Sequence, residues 1–471
     1  MSDPLRWLSG FATWLPAHCG LVSDLDLDCT PLSTAGTVDI AAATVQLALR
    51  VCVDQAAQPL QPPTAAAAAA GDSGFLQDAA PLPMRLSRFS AGALTRPAVM
   101  RLLAALGVRE LHMWLQPAQV TPALCSTLSH MHSVRRIRVG VAGGELPLRL
   151  AAAVGRLPQL TRLYVISAVG AGAMQALPAS LEELRLARVC RGDIADFSHL
   201  TALSRLRIEC ATNARMQLIL PAQPGLHVRV EGWADIRPGS GLCRLAVSAW
   251  ELQDLRVLAS LQIQPHLRTL SLRLSYDHYI LINDYENSVL HAALAASLGQ
   301  LTGLTQLVLR DIPPVLVQLP RLRQLLDLSW DCPCRVSLPD VLQLSTLTQL
   351  TGLTFYGDGL DDAAAVVLAS ALTRLQRLCL RSGSIVTWSM LAVIGRLTKL
   401  FELSLTPSGE AHLEPLMLQY FSTLTGLTWL QLPARYLFCS QDIEPQLLAM
   451  IPGLRELSHE PCPWPVVCPT S

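Results

Sequence analysis

The sequence predicts an α/β solenoid: a horseshoe of stacked strand–turn–helix units, with a parallel sheet on the concave face and helices on the convex face. Three observations carry that prediction. A six-residue pattern of apolar, two variable, apolar, one variable and apolar residues recurs along nearly the whole chain. The segments between copies place apolar residues at helical spacing. The copies follow one another at a mean step of about 25 residues, a period that marks stacked repeats.

In chain order, weak copies begin at Val22, Thr44, Pro81, Val108 and Val134. Clear ones follow: LTRLYV from Leu160, LEELRL from Leu181 and LSRLRI from Leu203. Weak copies at Gln223 and Leu242 precede LRTLSL from Leu267 and LTQLVL from Leu304. After a weak copy at Leu325 come LTGLTF from Leu350, LQRLCL from Leu375, LFELSL from Leu400 and LTWLQL from Leu427, with a last weak copy at Leu454. A strand alternates its side chains, so the first, fourth and sixth residues of each copy point into the core and the third and fifth project from the concave face. The rest of each unit is expected to return as a helix. ALTRPAVMRLLAAL, DDAAAVVLASALTRL and SMLAVIGRLTKL show the helical spacing, and Asp361 and Asp362 stand where an N-terminal cap is useful. A single LxxLxL also fits an amphipathic helix, but eighteen copies in near-constant phase do not. One unit cannot bury both of its faces alone, so the units must stack.

The composition suits such an array. Apolar residues are 51%, charged residues 15% and aromatics 5%, so the core is long and aliphatic. The basic residues are nearly all arginine, Lys399 being the only lysine. The 13 cysteines are scattered, and several, such as Cys243 and Cys379, fall in strand copies, which reads as reduced thiols rather than a disulfide framework. The opening residues lack a basic segment followed by an apolar one, and no apolar run reaches the ~18 residues of a membrane span. The expected location is the cytoplasm, with the cytoskeleton, a ciliary axoneme or the nucleus as alternatives, and no membrane partner.

The expected organisation is an N-terminal cap over residues 1–21, a solenoid over 22–460 and a tail over 461–471. Trp7, Trp14 and Leu15 are expected to close the N-terminal core. Two long steps imply insertions, a Pro/Ala/Gly-rich one near 55–80 and a tyrosine-bearing one near 274–289.

These copies resemble the leucine-rich-repeat family over roughly residues 20–460. The resemblance implies a soluble interaction protein. The family often places Asn or Cys three residues past the last strand leucine, where the side chain satisfies backbone groups of the turn. Here that position holds Ala168, Val189, Ile312, Gly383 and Ser408, with Asp358 the one polar stand-in, so irregular turns are expected. The helical segments are similar to those of strongly curved, helix-backed intracellular members. Many of these carry an F-box before the array and serve as substrate-recognition subunits of SCF-type ubiquitin ligases. Repeats that begin at Val22 leave no room for an F-box ahead of them, and this role stands as the alternative to a scaffold.

Catalytic motifs are absent: there is no HExxH, GxSxG, GxxxxGK[ST] or GxGxxG after a strand. The expectation is a non-enzymatic protein without cofactor. Cys332 with Cys334, and His459 with Cys462 and Cys468, fall short of a full zinc ligand set, so no metal is expected. His18, His130 and His132 lack a Cys or Ser partner in the sequence and read as surface histidines.

The concave columns are the informative feature. Read off at the third and fifth positions, they hold Arg136, Arg138, Arg162, Tyr164, Glu183, Arg185, Arg205, Arg207 and Arg244. Residues 101–273 contain 20 Arg against 11 Asp and Glu, while the whole chain is neutral. An arginine ladder at strand spacing is expected to bind a protein partner through an acidic segment. Glu182, Glu183 and Glu209 relieve it in part. Nucleic acid is the weaker reading, because stacking aromatics are few. Further contacts are expected from an exposed Trp429, among Ser329, Thr354 and Gln431, and from Tyr276 and Tyr279 on the second insertion. A monomer is expected.

Overall fold

The computed structural model describes residues 4–18, 22–27, 35–57, 86–91, 96–190, 194–236, 241–249, 266–274, 294–312, 316–331, 337–357, 360–381, 387–406, 415–432 and 443–458. They fall into two compact units, Met1–Pro221 and Ala222–Ser471.

In the first unit, eight described strands form a parallel sheet. They are β1 (Asp24–Leu27), β2 (Arg88–Ala91), β3 (Glu110–Leu115), β4 (Arg136–Val141), β5 (Arg162–Val169), β6 (Glu183–Val189), β7 (Ile194–Asp196) and β8 (Arg205–Ile219). Pairing runs in chain order from β1 to β6. The first part of β8 continues that ladder on β6, and its last residues pair with β7. Helix α1 (Pro4–Ala17) precedes β1, and α2 (Ala35–Ala57), α3 (Pro97–Ala105), α4 (Pro122–Ser129), α5 (Leu148–Gly155) and α6 (Ala171–Gln175) connect the strands from β1 to β6.

The second unit holds ten described strands. They are β9 (Leu226–Ile236), β10 (Leu242–Ala249), β11 (Thr269–Leu274), β12 (Gln306–Arg310), β13 (Asp327–Asp331), β14 (Gly352–Tyr356), β15 (Arg377–Arg381), β16 (Glu402–Leu405), β17 (Trp429–Gln431) and β18 (Glu456–Ser458), all parallel and paired in chain order. Its helices are α7 (294–300), α8 (Leu338–Ser345), α9 (Asp362–Ala371), α10 (Trp388–Ile394) and α11 (Ile443–Met450). Each unit is thus an α/β leucine-rich-repeat solenoid, as the residue pattern predicts.

The core sits between sheet and helices and is made by the predicted positions. Leu163, Leu184, Leu206, Leu270, Leu307, Leu328, Leu353 and Leu403, each the fourth residue of its copy, are all buried. Burial of one such side chain contributes about 1.5–3 kcal/mol. Helix caps follow the sequence as well. The Asp361 carboxylate accepts a hydrogen bond from the Ala364 amide at 2.8 Å. Thr121 and Thr387 cap α4 and α10 in the same way.

Several expectations are corrected. Thr44 starts no strand: it lies inside α2, where Ala41, Ala42, Val45, Ala48, Leu49 and Cys52 are buried at helical spacing and Leu47 is exposed. The copy expected from Pro81 begins instead at Leu86, with Leu86 and Phe89 buried and β2 between Arg88 and Ala91. In β9 it is Val228 that faces Leu245 of β10, so Leu226 rather than Gln223 takes the first position, with a register shift between Leu242 and Arg244. The return after β6 is not wholly helical, because β7 stands on the way to β8. Leu15 is buried as expected, but Trp14 is 49% exposed and stacks on His18 rather than closing a core. The side chain of Trp7 lies outside the described residues, as do Gly383, Ser408, Asp358, the bulk of the first insertion, the second insertion with Tyr276 and Tyr279, and the tail.

Two turns show what stands in for the family's asparagine. After β4, the Ser167 hydroxyl is buried, accepts from the Val141 amide and donates to the Val141 carbonyl at 3.2 Å. After β12, the chain turns at Asp311, a non-glycine residue at φ 56°, and the indole N–H of Trp330 donates to the Ile312 carbonyl at 3.1 Å. Buried backbone groups need such partners, and here the partners come from adjacent strands.

Candidate functional site

The candidate site is the outward face of the sheet from β3 to β8 in the first unit. Strand registry sets it. Glu110, Arg136, Arg162, Glu183 and Arg205 stand side by side in one row, and His112, Arg138, Tyr164, Arg185 and Arg207 in the next. Neighbours in a row are one strand spacing apart, about 4.8 Å. The inward alternates Ile137, Leu163, Leu184 and Leu206 are buried and fix each strand in this phase.

The arginines are not a bare ladder. Arg136 Nη1 lies 3.8 Å from Glu110 Oε2, and Arg162 Nε lies 3.5 Å from Glu183 Oε2. His112 Nε2 is 3.2 Å from the other Glu110 oxygen. Glu209, two residues past Arg207 on β8, is the hub. Its Oε1 pairs with Arg185 and lies 3.4 Å from Arg207 Nε, while its Oε2 accepts from the Tyr164 hydroxyl at 3.2 Å. The Tyr164 ring lies between two guanidinium groups, with Arg138 Cζ 4.9 Å and Arg185 Cζ 4.6 Å from its centroid. Burial, and then the Glu209 charge, push the Tyr164 phenol above its usual range, so it remains a donor. Arg138 and Arg205 are exposed and have no carboxylate within ion-pair distance among the described residues. The two rows with Glu209 therefore set six arginines against Glu110, Glu183 and Glu209.

The other described residues expected at the site belong to the second unit. Arg244 is exposed on β10 in the second unit, between His227 and Thr269. Trp429 opens β17 but is only 9% exposed, so it is not the accessible aromatic expected there; Gln431 beside it is fully buried and accepts a 2.7 Å hydrogen bond from Ser404. On the β3–β8 face an accessible tryptophan stands where the six-residue pattern does not look: Trp114 on β3 is 44% exposed. His18 and His130 sit at helix ends with their rings against backbone carbonyls.

The second unit carries its own ionic row. Arg273 Nε is 3.7 Å from Asp311, and Arg377 pairs with Asp327. Burial first, then the Asp311 charge, raise the Asp331 carboxyl above its usual range, against the pull of Arg310, Arg381 and Arg273. A carboxyl raised on folding holds stability that is full below its unfolded pKa and lost as pH climbs through the folded one. Asp331→Asn is therefore expected to raise the unfolding temperature at pH 7. The gain should shrink as pH falls through the folded pKa and vanish below about 3.9. Thermal scans of both proteins across this range test it, and a variant less stable at pH 7 would mean that the three arginines outweigh burial.

No family model and no curated relative matches the chain. Among solved structures it is similar to an internalin from Listeria monocytogenes str. 4b F2365, at 16% identity and TM-score 0.38, over 64% of this chain and 81% of that one. It is also similar to a leucine-rich-repeat protein of Leptospira interrogans, at 15% identity and TM-score 0.37, over 76% and 91%. No described helix is long and apolar enough to cross a membrane.

Proposed function

We propose that the chain is a non-enzymatic interaction scaffold that holds an acidic segment of a protein partner on the β3–β8 face. The observation that carries this reading is the charge of the two outward rows with Glu209, six arginines against three glutamates on paired strands. Repulsion among aligned guanidinium groups works against folding, and incoming carboxylates relieve it. Arg138 and Arg205 make the primary contacts. Arg185 and Arg207 are engaged by Glu209 and position the site.

The test is fluorescence anisotropy with a labelled peptide carrying a run of Asp and Glu. Arg138→Gln with Arg205→Gln is expected to weaken binding about tenfold and flatten its salt dependence, whereas Arg156→Gln, an exposed arginine after α5, leaves it unchanged. Equal affinity of the double variant would overturn the proposal. Tighter binding of a single-stranded oligoribonucleotide of matched charge would reassign the face to nucleic acid.

A further inference from the structure

Trp114 has an unusual seat. It is the fifth residue of β3, one alternate beyond the outward residues of the repeat pattern, and it is paired in register with Gly140 of β4. A Cβ at position 140 would run into the indole carbons Cε3 and Cζ3 and would stand 3.3 Å from the Ile166 Cβ. The glycine thus leaves the space that the indole ring fills, while almost half of the residue stays open to solvent. Gly140 has an ordinary strand conformation, so its missing side chain serves the ring and not the backbone.

The seat adjoins the charged row. Arg138 and Gly140 are separated only by Val139 on β4, roughly 6.6 Å along the strand, the distance between alternate residues of an extended peptide. We infer that Trp114 is the apolar anchor of the partner site, which reads an acidic side chain on Arg138 and a bulky apolar side chain two residues away on the indole. This rests on the acidic-segment reading of the face and adds its sequence preference. Trp, Tyr and Arg together are the residue types in which binding energy concentrates. Charge alone would hold any polyanion, and the indole selects among them.

Two labelled acidic peptides, identical except for Phe or Ala at one position flanked at two residues by Glu, test the inference against the full chain. The wild-type protein is expected to prefer the Phe peptide about tenfold. Trp114→Ala abolishes that preference, as does Gly140→Ala, which evicts the ring without changing any charge. Both variants keep the weaker, salt-sensitive binding of the Ala peptide, and Trp114→Phe restores most of the preference. Equal wild-type affinity for both peptides, or a preference that survives in Trp114→Ala, overturns the anchor and leaves the charged face standing. Loss of both peptides' binding to salt-insensitive background in the wild type instead overturns the face itself. Far-UV circular dichroism of Gly140→Ala separates ring eviction from strand loss, and Trp114→Ala, at an exposed position, decides the matter if that strand is lost.

Discussion

Trp330→Ala is expected to lower the stability of the β12–β14 segment by about 3–5 kcal/mol. Trp330 is fully buried on β13, its ring meets Phe355 of β14 edge to face at 5.4 Å, and its N–H satisfies the Ile312 carbonyl in the turn after β12. Truncation removes the largest side chain of this part of the core and orphans a buried carbonyl. Trp330→Phe keeps most of the apolar volume but not the donor, and should cost about 1–3 kcal/mol. Hydrogen exchange of the intact chain reads both, because it resolves stability segment by segment. Amides of β12, β13 and β14 should lose protection while those of β3–β6 keep theirs. A loss below about 1 kcal/mol in Trp330→Ala would mean that the turn is held by something other than this indole.

The same residue shows what sequence reading reaches. The apolar positions were legible because burial in a stacked repeat is periodic: Leu328 and Trp330 fall in phase with Leu353 and Phe355, and their registry follows. The partner of the turn was not legible, because the donor comes from the next repeat, 18 residues later, and is not an asparagine. Thr44 failed for a related reason. TVQLAL satisfies the strand pattern, but the neighbours Ala41, Ala42, Val45, Ala48, Leu49 and Cys52 satisfy a helix over a longer stretch, and the longer periodicity won.

In the candidate site, alternation was enough to bring Arg136, Arg138, Arg162, Tyr164, Arg185, Arg205 and Arg207 to one face. It did not reveal their pairing. Glu209 and Trp114 sit one alternate beyond the six-residue pattern, on strands longer than the pattern assumes, and the fit of Trp114 over Gly140 exists only between strands. Glu209 was legible as a counter-charge to the ladder but not as its hub, and a window extended to the next outward residue of each copy finds Trp114 as well.

Glu209→Gln should move stability and binding in opposite directions. The carboxylate, only 20% exposed, gathers Arg185, Arg207 and the Tyr164 hydroxyl, and Arg185 in turn lies on the Tyr164 ring. Neutralising it weakens two charge-assisted contacts and leaves two guanidinium groups facing each other, a cost of about 1–3 kcal/mol in local stability. The face gains one positive charge and two arginines released for a ligand, so the acidic peptide should bind several-fold more tightly at low salt, and the gain should fade as ionic strength rises. Glu209 occupies the place a partner's carboxylate would take, holding the arginines in order until it arrives. Hydrogen exchange at β6 and β8, with peptide anisotropy at two salt concentrations, measures both effects. If stability falls and affinity falls with it, Glu209 is part of the binding surface rather than its internal counterion. If neither changes, the Arg185–Glu209–Tyr164 cluster does not organise the face, and the arginines act only through their summed charge.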